Sequence, residues 1–99
     1  MILAKVLGTV VSTRKDESVV GHKLLLLGNV DAKGSPTGAT IVAMDAVGAG
    51  PGEMVLYATG SSARQTKVTD KRPCDAVVMA IVDSWEIGGQ EIYKKGRDD

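Results

Sequence analysis

Apolar residues gather in short runs separated by polar, glycine-rich and proline-rich stretches. "ILAKVLGTVV" (2–11) is aliphatic and β-branched and predicts a first strand. The polar loop "STRKDESVVG" (12–21) follows, then "HKLLLLGNV" (22–30) as a second strand. The cluster "DAKGSPTG" (31–38) reads as a turn. Residues 39–47 and 53–59 predict a third and a fourth strand, and "DAVVMAIVDSWEI" (75–87) the longest one. The glycine pair Gly88-Gly89 turns the chain into "QEIYKK", an edge strand, and a charged end. A short helical turn is expected near Ser62 to Gln65. Short strands at such spacing predict an all-β barrel or sandwich. A helix over the "DAVVMAIVDSW" stretch is the competing reading, because a continuous apolar run does not separate the two by period.

Two of these strands break the alternation of a half-buried strand. "LLLL" and "AVVMAIV" carry apolar residues on both faces. One core in 99 residues cannot cover both faces of several strands. The outer faces need a cover, and a second copy of the same chain is the simplest one.

Composition sharpens this. There is no Phe, one Trp and two Tyr, so the interior is built from Val, Leu, Ile, Ala and Met. Twelve basic residues balance twelve acidic ones. Nucleic-acid binders draw affinity from a basic excess and, for single strands, from aromatic stacking; neither is present, although Arg64, Lys67, Lys71 and Arg72 form a local basic run. Cys74 stands alone, so no internal disulfide is expected, and it reads as a small partly buried filler. The opening residues read as a strand, with no signal peptide and no membrane-spanning run. A cytosolic, reducing setting is expected.

The stretch "VGAGPGEMVLYATGSSAR" (47–64) carries the candidate chemistry. A phosphate loop of the Walker type needs Lys and Ser or Thr after its last glycine; here Glu53 and Met54 follow Gly52. A dinucleotide fingerprint needs a third glycine where Glu53 stands, and a helix where "EMVLYAT" predicts a strand. The residues Gly48, Ala49, Gly50, Pro51 and Gly52 are therefore expected to form a tight, close-packed turn and an interface element. A Ser-His-Asp set from Ser61 or Ser62, His22 and Asp45 or Asp83 has no supporting spacing. Asp45, Glu53 and Asp83 sit near strand ends, where carboxylates satisfy turn backbone, and they lack the further partners a metal needs. No catalytic residue, metal or cofactor is expected. Ser61 or Ser62 instead suits the cap of a short turn.

Taken in order, "AKVLGTVVST", "GHKLLLL", "VAMDAVGAGPGEMVLYATGSSAR" and "RPCDAVVMAIVD" resemble the EutN/CcmL family of bacterial microcompartment vertex proteins, from about Met1 to Asp83. The resemblance implies a small OB-like β-barrel of about five strands that forms a cyclic pentamer. It implies a barrel domain over 1–87, with an edge strand and charged tail over 88–99. It further implies a structural, non-enzymatic protein in the cytoplasm. There it would cap the five-fold vertices of a shell whose facets are hexameric shell proteins, without nucleic-acid or membrane partners. The rival readings are an OB-type nucleic-acid or small-ligand module and a small serine hydrolase. The tail from Ser84 onward departs from the pattern, and Trp85 and Tyr93 are expected at a subunit edge.

A five-fold axis brings five copies of one loop together, which disfavours charge and bulk. Gly60, Ser61 and Ser62 are the expected rim of a small central pore, with the glycine turn 48–50 as the alternative. Glu53 and Arg64 are the expected intersubunit or intra-loop ion pair. The loops 12–21 and 31–38 and the tail are candidates for contact with the facets.

Overall fold

The computed structural model describes residues 1–12, 23–60 and 76–97. Seven strands are present: β1 (Ile2–Val10), β2 (Leu24–Val30), β3 (Pro36–Asp45), β4 (Met54–Thr59), β5 (Ala76–Ile81), β6 (Ser84–Ile87) and β7 (Gln90–Lys94). The first five close into a barrel in the order β1-β2-β3-β5-β4, and β6 and β7 form a separate two-stranded sheet. All barrel neighbours are antiparallel except β3 and β5, which run parallel through Met44↔Val77 and Asp45↔Val78. Closure removes the unpaired sheet edges that a small open sheet would expose.

The inward positions alternate as the pleat requires. Ala4 and Val6, Leu25 and Leu27, Ala43, Val55 and Tyr57, and Ala76 and Val78 fill one interior cluster. Tyr57 is the largest fully buried side chain and takes the place a Phe would hold. Its hydroxyl donates to Asn29 Oδ1 at 2.7 Å, so the phenol is buried without an orphaned polar group. The opposite faces are apolar too. Met44, Ala58 and Val77 form a second buried cluster on the outer side, with Leu24, Ala46 and Met79 packed against it. Leu7 and Val42 also lie outside the barrel, 52% and 46% exposed, with the half-buried Leu26 paired to Val42.

Two sequence expectations change. The apolar stretch over 75–87 is not one strand and not a helix. It divides at Val82 and Asp83 into β5 of the barrel and β6 of the hairpin. The reason is pairing: β5 ends where Val55↔Ile81 closes its ladder with β4, and β6 turns to meet β7 through Trp85↔Tyr93. The third strand begins at Pro36 instead of residue 39. Asp31 Oδ1 accepts from the backbone N–H of Lys33 and Ser35 at 2.9 and 3.0 Å, which closes the turn within residues 31–35. The helical turn expected at 62–65 lies outside the described residues.

Candidate functional site: the glycine turn and the hairpin that braces it

The segment from Asp45 to Glu53 links β3 to β4 at one end of the barrel. Gly50, Pro51, Gly52 and Glu53 form a type II turn: the Glu53 N–H donates to Gly50 O at 3.2 Å, and Gly52 has φ +88°. Proline presets the second position and only glycine adopts the third without strain. Gly48, with φ +77°, makes the other bend. Between them Ala49 is fully buried in the barrel core.

Five backbone donors of this loop, those of Val47, Gly48, Gly50, Gly52 and Glu53, are already used. Asp45 Oδ1 accepts from Val47 and Gly48 N–H at 3.0 and 3.1 Å. Glu53 Oε1 accepts from Gly50 N–H at 2.6 Å, and Gly52 N–H donates to Val6 O at 2.8 Å. A phosphate cradle presents such N–H groups to its ligand. Here the chain's own carboxylates take three of them and backbone carbonyls the other two, so this glycine-rich turn is built as a structural plug and not as an anion loop. Lys23 holds it from the side: its Nζ donates to Ala49 O at 2.8 Å and stands 3.8 Å from Asp45 Oδ2.

Glu53 also reaches the C-terminal segment. Its Oε2 accepts from Lys95 Nζ at 2.7 Å. Lys95 follows β7, whose Tyr93 is buried and stacks on Trp85, ring centroids 4.9 Å apart. The Trp85 indole N–H donates to Ala32 O at 2.8 Å, in the turn between β2 and β3. The hairpin is therefore fixed to the barrel at its open end, on both strands: by Lys95, just after β7, to the glycine turn and by Trp85 of β6 to the 31–35 turn. Sequence reasoning missed both contacts: Lys95 is 42 positions from Glu53 and Trp85 is 53 from Ala32, and no periodicity links such pairs.

Gly60, the first of the expected pore residues, follows β4 exposed, with φ +64° and no atom of a described residue within 4 Å of where a Cβ would stand. Ser61, Ser62, Arg64, His22 and Cys74 lie outside the described residues. So the Ser-His arrangement and the Glu53–Arg64 pair fall there too. Among the described residues no three His, Cys, Asp or Glu side chains come together as a metal-holding group.

The family model described as ethanolamine utilisation protein EutN/carboxysome matches residues 1–83. The carboxysome shell vertex protein CcmL of Synechocystis sp. is 50% identical over 99 residues, covering 100% of this chain and 98% of that protein. Among solved structures, CcmL of Gloeobacter violaceus superposes with a TM-score of 0.91 at 46% identity, over 96% of this chain and 98% of that one. GrpN of Rhodospirillum rubrum, a pentameric microcompartment shell protein, superposes with a TM-score of 0.81 at 49% identity, over 88% and 99%. The closed five-strand barrel, shared with solved microcompartment shell proteins at 46–49% identity, places the chain in a shell-building class of protein. The chain belongs to the EutN/CcmL family of microcompartment shell vertex proteins.

Proposed function

We propose that five copies of this chain close into a ring that caps a five-fold vertex of a bacterial microcompartment shell inside the cell. The observation that carries the reading is the barrel's outer face. Leu7 and Val42 stand exposed on strands whose inner faces are already filled, so the apolar outside calls for a protein cover. Family membership supports a vertex subunit over an OB-type nucleic-acid or ligand module. The role is structural, and the spent donors of the glycine turn support that. Hexameric shell proteins are the neighbours such a ring would meet, and the 31–35 turn and the β6–β7 hairpin, both on the surface, are the described candidates for that contact.

Gly60, Ser61 and Ser62 form the rim of the axis in this proposal, because five copies of a small neutral loop can converge where charge cannot. Replacing Ser61 by Asp would set each carboxylate against four others. Each pair costs about 0.5 kcal/mol at roughly 8 Å even in water, and more in a narrow pore. Arg64 is proposed as a further cation for Glu53, within the loop or across the subunit boundary. Native mass spectrometry tests the set. The wild type should appear as a pentamer, while Ser61→Asp and Arg64→Glu should shift it towards smaller species. A wild type that stays monomeric or dimeric rejects the vertex reading. Pentamers unchanged by Ser61→Asp remove the serine from the axis.

A further inference from the structure

The hairpin leaves a cleft of about 400 Å³ between itself and the outer face of the barrel. Its floor is Lys5 of β1, flanked by Gly28 of β2 and Met54 of β4, its register partners. Tyr93 and Ile92 of β7 form one wall, Lys33 of the 31–35 turn stands at one end and Leu7 at the other. Neither Lys5 nor Lys33 has a side-chain hydrogen bond or ion pair with a described residue, whereas Lys23, Lys95 and Arg97 each have one. The cleft is held open: Trp85 is tied to Ala32, Lys95 to Glu53, and Leu7 lies so close to Gly28 that a Cβ there would meet it at 3.0 Å. It is thus a mostly apolar trough, braced at the open end of the hairpin, whose two lysines have no ion-pair partner among the described residues.

We propose that this cleft is the receiving half of the contact between neighbouring subunits of the ring, and that the element a second copy inserts brings apolar side chains and a carboxylate to Lys5 and Lys33. The inference rests on the ring reading. In a cyclic ring each subunit presents two different surfaces, one to each neighbour, so a concave donor-rich surface needs a convex acceptor-rich one on the same chain. Charge complementarity favours an acidic element over a neutral one. Continuity favours a second copy over a peptide: at Leu7 the cleft runs into the outer apolar band of exposed Leu7 and Val42 and half-buried Leu26, which a short peptide seated between barrel and hairpin would leave uncovered.

The test combines lysine footprinting with charge reversal. The assembled wild type is treated with an amine-acetylating reagent and its lysines are read by mass spectrometry, with the chain dissociated in mild denaturant as reference. In the ring, Lys5 and Lys33 should react at least tenfold more slowly than in the dissociated chain, while Lys94, exposed on the far side of β7's pairing, should change little. The Lys5→Glu/Lys33→Glu double variant should keep the near-ultraviolet signal of Trp85, showing a folded barrel and hairpin, yet lose the pentamer in native mass spectra. The Lys5→Arg/Lys33→Arg variant should retain it. An intact ring whose Lys5 and Lys33 react at the dissociated rate overturns this inference alone, and would mean that the trough faces outward, open to a facet protein or a peptide. A double variant that still forms pentamers overturns it as well. A wild type without a ring overturns the ring reading and this inference together.

Discussion

Replacing Gly52 by Ala isolates what the backbone of the glycine turn demands. At Gly52 φ is +88°, and among the described residues nothing lies within 4 Å of the position an added Cβ would take. The methyl group therefore meets no neighbour, and the cost is conformational alone. An L-residue in that region costs about 1–2 kcal/mol. Gly8 is the matched control. It too has no described residue within 4 Å, but its φ lies in the range open to any residue. There Ala should stabilise by about 0.4–1 kcal/mol by narrowing the unfolded chain. For a domain of this size 1 kcal/mol moves the midpoint by roughly 4–8 °C. Thermal unfolding by circular dichroism should thus show Gly52→Ala falling by about 5–10 °C and Gly8→Ala rising by a few degrees. Both are measured at one protomer concentration, since assembly adds a concentration-dependent term. Shifts of equal sign and size at the two positions would refute the reasoning, because they would show that the turn's angle does not distinguish Gly52.

Tyr57→Phe should cost about 1 kcal/mol in urea unfolding, since it removes the 2.7 Å bond to Asn29 but leaves the packing intact; Asn29→Ala should cost a similar amount, and the double variant less than the sum. Lys95→Met should lower stability by no more than about 1 kcal/mol, because the pair with Glu53 is partly exposed at 40% and 22%, and the difference from wild type should shrink in high salt.

How far the fold could be read from sequence differs by element. The barrel strands announced themselves because β-branched and aliphatic runs ended at glycine, proline and aspartate. "LLLL" gave away two apolar faces, and the structure places Leu25 and Leu27 in the core with Leu24 and Leu26 outside it. The Gly48–Gly52 turn was legible because proline followed by glycine has few conformational options. The β5–β6 break was not, since the lone Asp83 stands without a glycine or proline beside it and the strand ends only where its partner does. The brace formed by Lys23, Lys95 and Trp85 was equally hidden. Each of these side chains meets a backbone or carboxylate oxygen dozens of positions away, which only the closed barrel brings near. Where the candidate site depends on residues 61–64, the family resemblance supplied what spacing did not.

The parallel seam between β3 and β5 has a consequence in time. It joins only two residue pairs, while β1, β2 and β3 zip together as antiparallel neighbours close in sequence. To reach β3, the chain must first lay down β4 and then return past it, so the seam closes a long loop for the fewest residue pairs of any barrel contact. The barrel should therefore assemble as a meander that curls and shuts last at Met44 and Val77. A newly made chain would spend its slowest moments with the outer cluster of Met44, Ala58 and Val77 uncovered. That is the interval in which premature association, before the cylinder exists, is the main hazard to making a shell.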